Sequence, residues 1–320
     1  MEKHIEGAKQ LIEQQVTHNK ISSFGARFAE HQKVYSWTNE NIAAYLDTEN
    51  FENKNSALTV LASGDHTFNL LFNGVNNIDT FDSNALTEFY ALGFKRAMIL
   101  KYDYHTFLDL MGKLLHENTS IIEINDIIAS LFPYMEKEHK IFWVSIIEYN
   151  YKLQKEHNTN LNLFLMLTLA NNNIESIFHN NYLFNEENYN KLKSKLTQAN
   201  ITFKCANAVN LASDFSGEYD FILLSNILDY FNHVWGYQWK YEDLKSYLNN
   251  LESICNNDSI IFIKYIYYYG TKMNKKRYIF TSFGVTASDL TDEEIILFPS
   301  LPGSSISDGM VLKRVKSCEK

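Results

Sequence analysis

The order of apolar and polar positions between residues 58 and 84 predicts a strand, a tight turn, a helix and a second strand. This stretch reads LTVLASGDHTFNLLFNGVNNIDTFDSN, and its first apolar run, bounded by Gly64, suits a buried parallel strand. The helix covers about residues 66–72 and ends at Asn73-Gly74, a common C-terminal cap. The second strand ends at Asp82. This order predicts a right-handed parallel βαβ unit.

The segments on either side of this unit have helical periodicity. Residues 84–99, NALTEFYALGFKRAMI, predict an amphipathic helix, and residues 1–46 predict helices broken by the aromatic and polar segment KVYSWTNENIAAYL. Residues 104–189 contain several helical patterns and no convincing strand. We therefore expect a helical insert in the middle of the chain.

The alternation of helix and strand returns after the insert. A helix is predicted at 186–200, strands at 201–207, 219–228 and 258–268, and a further helix at 241–254. Residues 293–300 and 309–316 predict an antiparallel pair that closes the sheet. The fold class is therefore α/β, a Rossmann-like sheet with N-terminal helices and a helical insert.

The predicted domain organisation follows from these patterns. An N-terminal helical segment covers 1–50, the two halves of the Rossmann-like domain cover 51–103 and 191–320, and the insert or cap covers 104–190.

Composition narrows the range of partners. The 320 residues are 45% hydrophobic and carry a formal net charge of -9, which disfavours both nucleic acid and anionic membrane surfaces. The basic cluster at 272–280, KMNKKRYIF, indicates a solvated loop rather than a membrane anchor. From the pattern of apolar residues we expect neither a signal peptide nor a membrane-spanning segment. We expect a cytoplasmic protein with a small-molecule acceptor, no nucleic-acid partner and no stable membrane association, in an oligomeric state that the sequence does not indicate.

The cysteines predict neither disulfides nor metal. Cys205, Cys255 and Cys318 are widely separated and form no CxxC pair. The sequence therefore predicts no metal site.

The loops after the predicted strands carry the candidate ligand site, because ligands of such sheets bind beyond the carboxyl ends of the strands. Ser63, Gly64 and Asp65 offer one glycine and a carboxylate, whereas a pyrophosphate prefers several glycines and open helix amides. Asp82 ends the second strand, where a carboxylate accepts hydrogen bonds from ribose hydroxyls. These features favour S-adenosylmethionine, a nucleoside with a cationic tail and no phosphate, over NAD. The alternative is that Asp65 and Asp82 cap the helices that follow them.

Two later loops add candidates. Asn207 and Ala208 follow a strand, at a position where a polar side chain and backbone amides could bind the edge of an adenine. Asn207 is equally explained as an ordinary turn residue. Ser225 and Asn226 follow the most apolar strand and would face the reacting end of the cofactor. Candidate bases stand directly after them: Asp229, Tyr230 and His233. Asp229 has a helix cap as its alternative role, and the aromatic rings nearby suit either a sulfonium or the core.

Three segments together resemble the betaine-lipid-synthase family of 3-amino-3-carboxypropyl transferases. They are YSWTNENIAAYL, LASGDHTFNLLFNG and IDTFDSNALTEFYALGFKRAMI, with FILLSNILDYF as a weaker fourth match. The resemblance covers about half of the chain and implies the class I S-adenosylmethionine-dependent methyltransferase fold. The sequence departs from the family's pattern at Thr38-Asn39, where the family has acidic residues, and at His66, where it has Asn.

The resemblance also implies roles for individual residues. Gly64 and Asp65 would lie near the amino-acid moiety of the cofactor and Asp82 on its ribose, with Ser83 beside it. Tyr35 and Trp37 would close over the cofactor, and Ser225 and Asn226 would line the transfer site. The implied reaction moves a 3-amino-3-carboxypropyl group. Methyl transfer on the same fold is the alternative, and a non-catalytic scaffold protein is a second alternative.

Overall fold

The computed structural model describes residues 1–17, 30–116, 119–157, 162–169, 177–233, 236–267, 278–280, 283 and 285–316. Cys318 and most of the basic cluster at 272–280 lie outside these ranges. The strands are β1 (Val34–Tyr35), β2 (Ser56–Val60), β3 (Asn77–Asp82), β4 (Thr168–Leu169), β5 (Asn200–Cys205), β6 (Tyr219–Leu223), β7 (Cys255–Ile266), β8 (Tyr278–Phe280), β9 (Val285–Thr286), β10 (Glu293–Pro299) and β11 (Ser307–Arg314).

The described residues form a central seven-stranded sheet in the order β10-β11-β7-β6-β2-β3-β5. The pairs from β5 through β7 are parallel, whereas β11 runs antiparallel to both β7 and β10. Counted along the chain, this order is 3-2-1-4-5-7-6 with the seventh strand reversed, which is the arrangement of the class I methyltransferase fold. The predicted fold class is confirmed, as is the antiparallel pair at its edge.

The central strands are apolar because both faces of the sheet are covered. All five residues of β6 are buried, as expected for a parallel strand between two layers of helices. Successive residues of β2 point to opposite faces, so Ala57 packs into one hydrophobic cluster and Leu58 into the other. These two clusters, one on each face, hold the sheet in place.

The described residues contain twelve α-helices. They are α1 (Glu2–Thr17), α2 (Ile42–Leu46), α3 (Asp65–Asn73), α4 (Arg96–Lys101), α5 (Tyr104–Leu114), α6 (Ile121–Ser130), α7 (Lys137–His157), α8 (Leu163–Leu167), α9 (Glu186–Leu196), α10 (Leu211–Asp214), α11 (Leu228–His233) and α12 (Tyr241–Glu252). Helix α3 ends at Gly74 in the left-handed conformation, as the Asn-Gly signal predicts. Across the described ranges, no helix has the length and apolarity needed to cross a bilayer.

Two local features differ from the sequence prediction. The segment Glu88–Lys95, expected as part of an ordinary helix, is a π-helix that continues into α4. A two-residue strand, β4, lies in the region where none was expected and pairs in parallel with β1. Apolar periodicity does not distinguish the wider π turn from an α turn, and two residues are too few to show alternation.

Candidate functional site

A cavity of ≈ 290 Å³ lies at the carboxyl ends of the central strands. This is the point at which the chain order reverses between β2 and β6, where ligands bind in open α/β sheets. Residues 32–35 and 37–40 line one side of the cavity, which we call the N-terminal wall. Leu169 also lines the cavity and is its one lining residue from the described part of 104–190. The predicted site residues that line the cavity are Tyr35, Trp37, Ser63, Asp82, Ser83, Ala208, Ser225, Asn226 and Tyr230.

Asp82 is half-buried in the cavity wall, and both of its carboxylate oxygens are fixed by backbone donors. The amide of Ala62 donates to Oδ2 at 3.0 Å, and that of Asn84 donates to Oδ1 at 2.9 Å. Removal from bulk water raises the pKa of Asp82 to about 6, although these backbone donors oppose the rise. A carboxylate held in this way keeps free lone pairs for hydroxyl donors of a ligand.

The backbone at the cavity rim adopts conformations that are rare outside glycine. Ala62 has φ 43° and Ser225 has φ 55°, so two residues that line the cavity lie in the left-handed region. Such conformations cost about 1–3 kcal/mol each and cluster at functional sites. Gly64, at φ 85°, has a different role, since a Cβ there would lie 2.9 Å from the Cβ of Ala91. The glycine allows the β2–α3 turn to pack against the π-helix and does not line the cavity.

Asp65 lies outside the cavity wall and is completely buried. Lys95 Nζ is 2.6 Å from Oδ1, and the Tyr182 hydroxyl donates to the same oxygen at 2.7 Å. The other oxygen accepts the amide of Thr38 at 2.7 Å and the hydroxyl of Ser63 at 2.8 Å. Both oxygens of Asp65 are therefore occupied by the protein's own donors, and its expected place near the cofactor's amino-acid moiety stays a prediction.

The buried Asp65–Lys95 pair fastens the N-terminal wall of the cavity to the sheet. Lys95 Nζ donates to the carbonyls of Ser36, at 3.3 Å, and Ser63, at 3.2 Å. It also lies 4.0 Å from the ring centroid of Trp37, which holds the indole against the cavity. Burial lowers the pKa of Lys95, and the charge of Asp65 opposes that shift. Asp65 is therefore a positioning residue for the wall.

Glu40 is a cavity residue that the sequence argument did not identify. It is 3% exposed, lines the cavity, and accepts the Ser225 hydroxyl at 2.5 Å and the Asn226 side-chain amide at 3.1 Å on Oε1. His66 Nε2 lies 3.2 Å from its Oε2. The feature of the sequence that could have indicated this role is that Glu40 is the sole acidic residue of the segment KVYSWTNENIAAYL. We call Glu40, His66, Ser225 and Asn226 the Glu40 cluster.

Two buried polar atoms of the Glu40 cluster have no hydrogen-bond partner among the described residues. They are Nδ1 of His66 and Oδ1 of Asn226. Buried polar atoms of native proteins are nearly always paired, so such atoms in a cavity wall call for a ligand or water partner. The cluster thus offers a buried carboxylate together with further polar atoms at the end of β6.

The three candidate bases occupy different environments. Tyr230 lines the cavity. Asp229 does not, and its carboxylate is 2.6 Å from Nζ of Lys264 in an ion pair. This pairing argues against Asp229 as a base inside the cavity. The backbone of His233 ends α11, but its side chain lies outside the described part of the structure.

Asn207 follows β5 but does not line the cavity, whereas Ala206 and Ala208 do. Its Oδ1 accepts the amide of Val209 at 3.1 Å, and its Nδ2 is 3.4 Å from the hydroxyl of Tyr237. This is the turn role that the sequence left open as the alternative for Asn207.

No protein-family model and no curated protein matches this sequence. Solved structures do match, and the three described here are 8% to 12% identical to this chain. The rRNA methyltransferase AviRa from Streptomyces viridochromogenes is 12% identical over 84% of this chain and 83% of its own, with a TM-score of 0.36. The bifunctional kinase-methyltransferase WbdD is 9% identical over 81% of this chain and 34% of its own, with a TM-score of 0.33.

A third match comes from a structure concerned with conversion of a disulfide bond into a thioacetal group during echinomycin biosynthesis. It is 8% identical over 95% of this chain and 91% of its own, with a TM-score of 0.36. Similarities at this level carry no argument about reaction or ligand. The fold assignment rests on the strand order and the reversed β11 described above.

Proposed function

We propose that this protein binds S-adenosylmethionine and transfers a group from it to a small-molecule acceptor. The observation that carries the proposal is Asp82, a backbone-fixed carboxylate at the end of the second strand, in a cavity at the switch point of a class I sheet. The loop before α3 contains a single glycine, Gly64, which does not line the cavity, so the glycine-rich cradle that a pyrophosphate prefers is missing there.

The nucleoside end of the ligand belongs beside β3 and β5. The ionised Asp82 carboxylate would accept both ribose hydroxyls, and the apolar cavity residues Val60, Phe81, Ala206 and Ala208 would enclose the adenine. Apolar walls with a few placed polar groups are typical of sites for small cofactors.

The methionine end belongs at the Glu40 cluster. The ammonium group of S-adenosylmethionine needs an anionic acceptor, and Glu40 is a buried carboxylate that lines the cavity. We assign to Glu40 the role that the sequence argument gave to Asp65. The aromatic rings of Tyr230 and Tyr267 also line the cavity and suit a sulfonium.

The finer proposal concerns the group that moves. S-adenosylmethionine, when bound, supplies a sulfonium leaving group, so the protein's task is to hold the acceptor in line with one carbon. The family resemblance favours the 3-amino-3-carboxypropyl group, and methyl transfer is the alternative. Of the candidate bases whose side chains are described, Tyr230 lines the cavity and could act on an acceptor that must lose a proton.

Product analysis tests the proposal. The protein is incubated with S-adenosylmethionine and a fraction of small cellular metabolites, and the nucleoside products are separated by chromatography. Aminocarboxypropyl transfer releases 5′-methylthioadenosine, whereas methyl transfer releases S-adenosylhomocysteine. If the protein is a non-catalytic scaffold, it releases neither of these products faster than the Asp82→Ala variant does. In that case the Asp82→Ala substitution would also leave its cellular role intact.

A further inference from the structure

His4, Glu30 and His31 form a cluster outside the cavity. His4 Nδ1 lies 3.0 Å from His31 Nε2, and one ligand atom from each of the three residues lies within 4.8 Å of the others. All three residues are partly buried. The two histidines are 27 positions apart, so this pairing comes from tertiary structure.

Gly7 creates the space in which the His31 ring lies. A Cβ at Gly7 would be 2.3 Å from two atoms of that ring, so no larger residue fits at this position of α1 without displacing His31. His4 is three residues before Gly7 on the same face of the helix. Helix α1 therefore supplies the His4 imidazole and, at Gly7, the space in which the His31 imidazole lies beside it.

We propose that His4, His31 and Glu30 bind one divalent transition-metal ion of the zinc class. Two imidazoles and a carboxylate are ligands that Zn²⁺ accepts, with water in the fourth position. Two nitrogens at about 2.05 Å from a tetrahedral ion are about 3.3 Å apart, so the rings need to separate by a few tenths of an ångström. In the metal-free protein these two ring nitrogens are hydrogen-bonded to each other, so one imidazole would change tautomer for both nitrogens to bind the ion.

A metal at this cluster would join α1 to the cavity wall. The Glu30 carbonyl accepts the amide of Ala85 at 2.9 Å, and the amide of Gln32 is 3.3 Å from Oδ1 of Asn84. Gln32 and Asn84 both line the cavity. The ion would displace Lys3, whose Nζ is 2.6 Å from Glu30 Oε1, and would brace this wall from outside.

The test is a Zn²⁺ titration of the full chain after treatment with a chelator, followed by calorimetry and by the visible absorbance of the Co²⁺ form. We expect one site per chain and an increase in Tm on metal binding. Removing a ligand in His31→Ala is expected to weaken binding by roughly 100-fold or more, and in Glu30→Gln by roughly 10-fold or more.

Gly7→Ala is the most informative variant because it leaves all three ligands in the chain. It should weaken binding by roughly 10–100-fold, since it displaces the His31 ring. Gly112→Ala is the matched control: it also lies in a helix, α5, and a Cβ there meets nothing within 4 Å. Circular dichroism shows whether each variant is folded. Absence of Zn²⁺ binding at micromolar protein, or wild-type affinity in folded Gly7→Ala and Glu30→Gln, overturns the proposal.

Discussion

Asp82 and Glu40 are the two carboxylates that line the cavity, among the residues that the structure describes. Asp82 is held by main-chain amides, whereas Glu40 is held by side chains from a different strand end and from α3. They differ in their partners and therefore in what they offer a ligand. We expect Asp82 to bind neutral hydroxyl donors and Glu40 to bind a cationic group.

The first prediction concerns Asp82. In Asp82→Asn one acceptor oxygen is lost, so affinity for S-adenosylhomocysteine should fall by roughly 10- to 100-fold, equivalent to about 1.5–3 kcal/mol for hydrogen bonds to a charged group. Calorimetric titration measures the change. Asp79→Asn is the control, because Asp79 lies on the same strand outside the cavity, where it accepts the Tyr219 hydroxyl. Equal loss in both variants would contradict the assignment.

The second prediction is a pH dependence. The pKa of Asp82 is raised from 3.8 to about 6 in the ligand-free protein. Relative to the unfolded chain, the folded protein therefore favours the protonated carboxyl, and the folding stability that this preference contributes is lost as pH rises through about 6. Ribose hydroxyls favour the ionised form instead. Affinity should therefore be constant above about pH 7 and fall below about pH 6, by up to roughly tenfold per pH unit. A series of titrations from pH 5 to 8 measures this, and Asp82→Asn should remove the dependence.

The third prediction separates the two ends of the ligand. Glu40→Gln should weaken binding of S-adenosylmethionine by roughly 10- to 100-fold, because a charge-assisted hydrogen bond to the ammonium is lost. Binding of 5′-methylthioadenosine, which has no amino-acid portion, should not change. Glu49→Gln is the control, a buried carboxylate paired with Arg314 outside the cavity. Parallel weakening of both ligands by Glu40→Gln would exclude the proposed role.

At the scale of elements, the π-helix and the β2–α3 turn are joined by the Asp65–Lys95 pair. The last residue of the π-helix thereby reaches the carbonyl of Ser36 and the ring of Trp37 in the cavity wall. π-helical segments are rare and are frequently found at functional sites. Here the π-helix places the buried Lys95 ammonium against the carbonyls of Ser36 and Ser63. The position of the N-terminal wall therefore depends on the Asp65–Lys95 ion pair.

The fourth prediction follows from this arrangement. Lys95→Met leaves the Asp65 charge buried without its cation and should lower the free energy of unfolding by about 3–5 kcal/mol. Urea denaturation measures the loss, and the double variant Asp65→Asn/Lys95→Met should recover part of it. Lys204→Met is the comparison, since the Lys204–Asp214 pair is exposed and is expected to contribute less than about 1 kcal/mol. A Lys95→Met protein as stable as the wild type would contradict the role of the pair.

At the scale of the whole molecule, local patterns were sufficient to predict the sheet. Buried strands, the Asn73-Gly74 helix end and the closing antiparallel pair all have signals within about ten residues. The environment of Asp65 has no such signal, because its cation is 30 residues away and Tyr182 is 117 away. The cavity-facing position of Glu40 depends on Ser225 and Asn226, which are 185 and 186 residues away in the chain. A carboxylate that ends a strand, such as Asp82, is therefore predictable from local sequence, whereas one that tertiary packing brings to the cavity, such as Glu40, is not.

The predicted domain boundaries at 50, 103 and 190, the small-molecule acceptor and the location in the cytoplasm stay predictions. The insert is the part of the fold for which local patterns were least informative. Its β4 pairs with β1 more than 100 residues earlier, and such pairing cannot be read from periodicity.

Calorimetric titration of the purified chain with S-adenosylmethionine, in parallel with NAD, tests the central claim most directly. We predict saturable binding of S-adenosylmethionine to one site per chain, competition by S-adenosylhomocysteine, and no heat of binding with NAD. Weakened binding in Asp82→Asn places the ligand in the cavity. Absence of S-adenosylmethionine binding, or tighter binding of NAD, would contradict the account.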